Sequence, residues 1–427
     1  MTPITEREAQ ALKEAGHTDV SRAVSATMVT LFLATICAVP ILQAVLSDTF
    51  GAADVVANVL PETAGTARRD GLLAANRDLL GGIERFEEVL EEESLLRRWI
   101  LPPTQRLLTD FLGVGNEQAY LGRDGWLFLR DDFDHVTGRG FLEPRRLRRE
   151  RLAGSRAANP LPAILGLHRD LAARGIELVV MPTPVKPTVH PEFLAAAADS
   201  GLIHNPSFGD FLGRLEIAGV TVFDPSTVLA AAKARSGEPL YLRTDTHWTP
   251  RAVELVAREL ASVLRDFIDS SRPETDRFVR RRAYVSGPGD LARMLEYPGA
   301  EEAWASERTE VARVLTRQGR PWTPDRKAQV LLLGDSFTNI YSDAGLGWGT
   351  GSGLAEQLSF ELGRSVDRIA VNAGGSWSSR QALVRGTSAE TRADRLAGKR
   401  VVVYQFAARE LSTGDWKVLE IRARAKP

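Results

Sequence analysis

The chain has 427 residues, 44% of them hydrophobic, 26% charged and 7% aromatic, a composition that folds and that suits one large domain or two to three ordinary ones. Lys and Arg number 54 against 55 Asp and Glu, a formal net charge of −1, which argues against a nucleic-acid-binding footprint. Cys37 is the single cysteine, so a disulfide framework, a Cys-rich zinc site and an iron–sulfur cluster are excluded.

Residues 23–46 (AVSATMVTLFLATICAVPILQAVL) carry no charge over 24 positions. At about 1.5 Å per residue such a helix spans a hydrocarbon core of about 30 Å with some tilt, and Pro40 is tolerable near its end. A cleavable signal peptide is the rival reading, but its apolar region usually runs about 7–15 residues behind a shorter leader; a buried soluble helix is the other. Basic residues stand at positions 7, 13 and 22, and the next is Arg68. The positive-inside rule therefore makes 1–22 a cytoplasmic tail and 23–46 a transmembrane signal-anchor in the inner membrane, with the remainder periplasmic or otherwise outside the cytoplasm. Residues 47–115 read as a linker followed by a helical stalk. Leu72, Leu79, Ile83, Phe86 and Leu90 recur near helical spacing, and Pro102-Pro103 is expected to divide the stalk into two helices. The acidic run Glu87-Glu88, Glu91-Glu92-Glu93 reads as a solvated face.

From 116 to 427 short apolar runs alternate with helical stretches. IELVVMP (176–182), VTVFDP (220–225), VLLLGDS (330–336), RIAVNAG (368–374) and VVVYQF (401–406) predict buried strands, with helices around 161–174, 249–268, 353–363 and 378–396. Near-continuous apolar strands separated by helices predict a three-layer α/β/α domain with a mainly parallel sheet. An Arg-rich stretch around 276–328, holding Gly287-Pro288-Gly289 and two Trp, interrupts the rhythm and is expected to be an insertion of irregular or β structure. Open sheets of this kind bind ligands at the carboxyl ends of their strands.

One such end is Gly334-Asp335-Ser336-Phe337. A Ser at the start of the following helix suits a nucleophile, because backbone N–H groups there can stabilise an oxyanion, and Gly334 permits the sharp turn. Helix capping by Asp335 or Ser336 explains the same residues. The second cluster lies in LYLRTDTHWTP (240–250). Asp245 and His247 sit at i, i+2 on what reads as an extended segment, leaving one face roughly 7 Å apart, and Thr249 and Pro250 open a helix. A carboxylate that fixes the His tautomer makes it a general base, so Asp245, His247 and Ser336 have the three roles of a triad. A helix-flanking His beside a turn-capping Asp is the plain alternative. His135, His168, His190 and His204 lack zinc-site spacings, so no metal is expected. The glycines of 345–353 fit neither GxGxxG nor GK[ST], which leaves no cofactor motif; the loop is expected to rim a cleft beside Ser336.

GDSF on a strand-to-helix turn resembles the first block of SGNH-type hydrolases. DTHW placed upstream of it resembles the arrangement of the alginate O-acetylation proteins AlgJ and AlgX. Asn76-Arg77, YLGRDGWLF (120–128), MPTPVKPTVHPEFL (181–194), GLAEQLSFELGRSVDRIAVNAGG (353–375) and YQFAAREL (404–411) are similar to segments of that family. The resemblance covers about residues 70–415. It implies Ser336 as nucleophile, His247 as base and Asp245 as the group orienting it. Gly334, Asn372, Gly374 and Gly375 are the oxyanion-hole candidates it implies; the Gly-x-Asn-Asp block is missing, YQFAARE stands at the equivalent strand end, and Gln405 and Arg409 are candidates for the side-chain donor. For Arg409, a structural pairing with Glu410 or Asp415 is the rival. Trp248, Trp348 and Trp377 each follow a site segment and are candidates to stack on a sugar ring, with simple packing as the alternative for each. Lys186 matches a family position, though by itself it reads as a solvated lysine. The implied function is an exported, membrane-anchored O-acetyltransferase acting on an exopolysaccharide. Its acetyl groups would come through a multispanning membrane O-acyltransferase. A carbohydrate esterase or deacetylase with the same triad, or an inactive polysaccharide-binding scaffold, are the alternatives.

Overall fold

The computed structural model describes residues 21–46, 79–80, 82–83, 94–154, 156–195, 201–268, 278–387 and 394–421. They divide into two compact units, Met1–Thr104 and Gln105–Pro427. In the first unit α1 runs Arg22–Leu46 over 25 residues, with Met28, Leu31, Phe32 and Ile36 exposed. Side chains of this helix are described as far as Ala38, and counted over the described residues no helix is long and apolar enough to cross a membrane. Most of the expected linker and stalk, including Asn76-Arg77 and the acidic run, lies outside the described residues. Helix α2 (Leu95–Arg106) keeps both Pro102 and Pro103 inside it, so the expected break there is absent. Each ring removes one N–H donor, and the chain continues into a wider π-helical turn, Leu107–Phe111, rather than stopping.

The second unit begins with a small antiparallel ladder, β1 (Ala119–Leu121) and β2 (Leu127–Leu129). Then come α3 (Arg130–Thr137), α4 (Pro144–Ala153), α5 (Pro160–Ala172), β3 (Glu177–Thr183) and α6 (Lys186–Val189). Next are α7 (Phe208–Ile217), β4 (Thr221–Val222), α8 (Pro225–Ser236) and α9 (Pro250–Leu264). A ribbon follows, with β5 (Phe278–Gly287), α10 (Asp290–Met294), α11 (Ala300–Ala303) and β6 (Glu307–Thr316). The chain closes with β7 (Val330–Gly334), α12 (Ser336–Asn339), α13 (Leu354–Leu362), β8 (Asp367–Ala370), α14 (Ser378–Gly386), β9 (Val401–Ala407) and α15 (Glu410–Thr413).

The five apolar runs all contribute strands to one parallel sheet of order β4-β3-β9-β7-β8. Their near-continuous hydrophobicity has a direct cause, since alternate side chains enter two separate cores. Val179, Met181, Leu332 and Val403 pack with Leu229 of α8, Val256 and Leu260 of α9 and Leu358 of α13. Leu178, Val180, Leu333 and Val402 pack with Leu167 of α5, Phe211 of α7 and Leu383 of α14. That makes three layers, helices on both faces of the sheet. Helix α9 starts as its sequence predicts: the Thr249 side chain accepts from Ala252 N and Pro250 is the first residue. The ribbon β5–β6 pairs without interruption from Phe278↔Thr316 to Gly287↔Glu307, and Val311 and Val314 seat it on the first of those cores.

Candidate active site

Strand β7 ends at Gly334, and the next residues fold straight back as α12. A Cβ at 334 would lie 2.2 Å from Thr338 Oγ1 and 2.8 Å from Gln405 Oε1, so this turn requires glycine. Asp335 takes the capping role: its Oδ1 accepts from Phe337 N at 2.8 Å and from Gln405 Nε2 at 3.0 Å. Its Oδ2 accepts from Ala407 N at 2.8 Å, which ties the turn to the end of β9. Capping thus falls to Asp335 and leaves the Ser336 hydroxyl free to face His247.

The segment carrying His247 is a loop closed by the Tyr241↔Trp248 bridge and by Leu242 N donating to His247 O. It is not the extended stretch expected from its sequence. Asp245 and His247 meet because Asp245 Oδ1 accepts from the His247 backbone N at 3.0 Å, the two-residue turn that Asp side chains favour. The same oxygen is 2.7 Å from His247 Nδ1, and His247 Nε2 is 2.8 Å from Ser336 Oγ. With Nδ1 donating to the carboxylate, Nε2 is left to accept the Ser336 proton. Asp245 is fully buried, His247 nearly so, and Ser336 is only partly covered; reagents thus meet the hydroxyl first.

Burial alone would raise the pKa of Asp245, but the His247 hydrogen bond and charge, helped by Trp348, hold it down at about 2. Burial pushes His247 down, and the hydrogen bond and charge of Asp245 override it to raise the ring's pKa. Each acts as the other's counter-charge. Trp348 is a correction to the sugar-platform expectation: it is 1% exposed and its Nε1 donates to Asp245 Oδ2 at 2.8 Å. The glycine-rich loop therefore reaches inward to the buried acid.

The remaining candidates also sit around the carboxyl edge of the sheet. Gln405 is fully committed, its Oε1 accepting from Asp335 N and Thr338 Oγ1 and its Nε2 donating to Thr183 Oγ1 and Asp335 Oδ1. With both amide hydrogens used, it is not an oxyanion donor as it stands. Arg409 donates to Asp132 Oδ1 at 3.0 Å rather than pairing with Glu410 or Asp415, and its guanidinium lies 5.7 Å from the Phe337 ring centre. Asn372 accepts from Asn339 Nδ2 and donates to Asp343 Oδ2. Gly374 and Gly375 make the turn after β8, where a Cβ would lie 2.7 Å from Ser378 Cβ and from Glu410 Oε2, respectively. Trp248 donates to Phe337 O, and Trp377, half-buried, has Lys417 Nζ 5.3 Å from its ring centre.

Sequence reading missed Asp290, whose Oδ2 lies 3.7 Å from His247 Nδ1. Its one cue was the Gly-Pro-Gly turn directly before it. Asp245, His247 and Asp290 offer ligand atoms within 4.8 Å of one another. Every carboxylate oxygen among them already accepts an N–H or O–H, which suits a hydrogen-bonded acid–base set better than a cation site.

Comparison with known proteins agrees with the architecture. The chain is 27% identical over 195 residues to a protein of Pseudomonas aeruginosa described as "Probable alginate O-acetylase AlgJ", covering 45% of each. It is 32% identical over 152 residues to one so described from Pseudomonas fluorescens, covering 36% of this chain and 34% of that protein. The chain thus matches less than half the length of these relatives. The solved "O-Acetyltransferase Domain of Pseudomonas putida AlgJ" aligns with TM-score 0.51 and 22% identity over 70% of this chain and 93% of that one, a likeness of fold. The family model described as "SGNH hydrolase-like domain, acetyltransferase AlgX" matches residues 119–408. That span runs from β1 to the residue after β9 and contains Asp245, His247 and Ser336, and by it the chain belongs to the AlgX-type SGNH hydrolase-like family.

Proposed function

We propose that this protein is a membrane-anchored, exported O-acetyltransferase that moves an acetyl group by way of Ser336 onto hydroxyls of an exopolysaccharide. The observation that carries this reading is the unbroken relay Ser336 Oγ–His247–Asp245, with contacts of 2.8 and 2.7 Å and Ser336 the least buried of the three residues. In the first half-reaction His247 Nε2 takes the Ser336 proton while Oγ attacks the acetyl carbonyl carbon. The bond to the donor's leaving oxygen then breaks, and that oxygen receives the proton from His247. In the second half a sugar hydroxyl attacks the Ser336 ester, His247 accepts its proton, and Oγ departs and recovers a proton from the ring. Asp245 stays ionised throughout and stabilises the imidazolium. The polysaccharide acceptor follows from the alginate O-acetylation described for the relatives. A multispanning membrane O-acyltransferase is the proposed acetyl donor, and α1 the proposed anchor with the catalytic unit periplasmic.

Hydrolysis uses the same ester, so transfer prevails only if a bound hydroxyl outcompetes water at about 55 M; well-oriented groups reach effective molarities of about 10⁵–10⁸ M. One experiment tests both halves. An activated acetyl ester is supplied with and without oligosaccharides, and intact protein mass, acetate and acetylated sugar are followed together. The wild type should gain one acetyl group and pass it to a sugar, whereas Ser336→Ala, still folded, should take none and lose several orders of magnitude in rate. Equal labelling of both proteins removes Ser336 from the mechanism. Acetate release that ignores acceptor, with no acetylated sugar, makes the protein an esterase.

A further inference from the structure

The loop that carries the acid and the base is strapped down by the ribbon. Asp290, the first residue of α10, accepts from Thr246 N through Oδ1 and from Thr246 Oγ1 through Oδ2, both at 2.7 Å. Its own N–H donates to Asp245 Oδ2 at 3.1 Å, and Leu291 N and Ala292 N donate to Thr244 O at 3.2 and 3.3 Å. On the opposite strand Glu307 accepts from Arg243 N, Thr244 N and Thr244 Oγ1 at 3.0, 2.8 and 3.0 Å. The two ribbon carboxylates thereby hold Arg243, Thr244 and Thr246, the Asp290 N–H holds Asp245 between them, and the Asp290 carboxylate lies 3.7 Å from His247 Nδ1.

We infer that Asp290 is a positioning residue for the acyl-transfer chemistry, fixing the Asp245–His247 loop and giving the His247 ring a second negative charge when it takes the Ser336 proton. The inference rests on the proposed function for its chemistry but on the ribbon's own contacts for its geometry. The charged groups facing His247 are Asp245 and Asp290, which favour the protonated ring, and Arg409, which opposes it; Ser336 occupies the other ring nitrogen. Behind the carboxylates, Lys186 faces Asp245, Asp290, Glu307 and Asp132. Burial and then the Asp245 charge raise the pKa of Asp290 above the usual carboxylate value, while the His247 charge and the two hydrogen bonds from Thr246 favour its ionised form.

Two effects of opposite appearance follow from replacing the charge. A ring with one counter-charge fewer loses its proton at lower pH, so the acid limb of the acylation profile moves down. The imidazolium formed during attack is also less stabilised, so the plateau falls. In the full-length protein, with p-nitrophenyl acetate as acyl probe, Asp290→Asn should move the acid limb down by about one unit. It should also lower the plateau acylation rate at least about tenfold, with KM unchanged. Asp290→Glu, which keeps the charge, should keep the wild-type limb. A merely structural residue would cost rate without moving the limb. The inference is overturned if the Asn limb stays with the wild type, or if the Glu limb moves as far as the Asn limb. Should Asp290→Asn not fold by circular dichroism, Thr246→Val leaves the carboxylate in place and frees Oδ2; its limb should stay or rise, and a fall overturns the inference. If the wild type itself takes no acyl group, the proposed function fails. NMR titration of the His247 ring, wild type against Asp290→Asn, then decides the inference alone, with a lower ring pKa expected in the variant.

Discussion

Lys186 lies wholly inside the protein, its Nζ donating to Leu127 O at 2.7 Å and to Arg243 O at 3.3 Å. The rings of Trp126 and Phe128 stand 5.6 and 5.5 Å away. Burial lowers its pKa from 10.5 to about 8, although Asp245, Asp290, Glu307 and Asp132 all favour the charged form. Because the folded value is depressed, the unfolded chain binds the extra proton between the two values, and the stability attributable to this group rises with pH across that window. Below about pH 8 the proton is bound in both states and the cost of burying the charge is felt in full. Stability of the wild type relative to Lys186→Met should therefore increase by up to about 3 kcal/mol from pH 8 toward 10.5, a shift of about 2.5 units. Urea unfolding at stepped pH measures this, and a pH-independent difference between the two proteins would refute it. Nothing local in Pro184-Val185-Lys186-Pro187 announced a buried cation, and a solvated lysine was the natural expectation. Its two acceptors come from residues 59 and 57 positions away, contacts that only the tertiary fold creates.

The strands were legible because burial on both faces makes each one apolar throughout, a signal that composition alone carries. Helix α9 was legible for a similar reason, with Thr249 and Pro250 marking its start. The acid–base loop was only half legible. Asp245, His247 and Ser336 were identifiable as residue types, but the turn joining the first two, Trp348 beneath the acid and Asp290 beside it depend on elements far apart in sequence. The ribbon's Gly287-Pro288-Gly289 was visible as a turn and not as a clamp. Gly289 has φ +81, and a Cβ there would lie 2.2 Å from Thr244 O, so the ribbon meets the loop backbone to backbone at that point. Gly319, in the turn after β6, has φ +78 but nothing within 4 Å. Gly319→Ala should accordingly show only the cost of left-handed backbone, about 1 kcal/mol. Gly289→Ala should cost about 2–4 kcal/mol and slow acylation as well, since Thr244 cannot retreat without moving Asp245. Denaturant unfolding and acylation rates of the two variants check this side by side, and equal costs would mean that the clamp is loose.

At the scale of the whole molecule, the order β4-β3-β9-β7-β8 puts the last strand of the chain at the centre of the sheet. The carboxyl ends of β3, β9, β7 and β8 then lie side by side, and Lys186, Arg409, Ser336 and Asn372 all follow those ends, where open parallel sheets gather their chemistry. What the catalytic unit can act on depends on where it is held. A polysaccharide modified during export calls for an enzyme beyond the cytoplasm, while an acetyl group of cytoplasmic origin calls for one that stays near the membrane. The 24 uncharged residues 23–46 would meet both needs. As a helix they would extend about 36 Å against a hydrocarbon core of about 30 Å, and the basic residues at 7, 13 and 22 with none before Arg68 would set the N-terminus inside under the proposed topology. Uncleaved anchoring is the expected outcome, because the run and its leader exceed those of an ordinary signal peptide. A full-length C-terminal alkaline-phosphatase fusion should be active, remain with the membrane fraction after a salt wash, and keep its original N-terminus by mass. Replacing Leu31 and Ile36 with Arg should release it or block export, since each charge at the centre of a span costs about 2.5–3.5 kcal/mol on insertion scales. A soluble mature protein beginning near residue 47, or an inactive fusion with full expression, would overturn this topology while leaving the chemistry of Ser336 untouched.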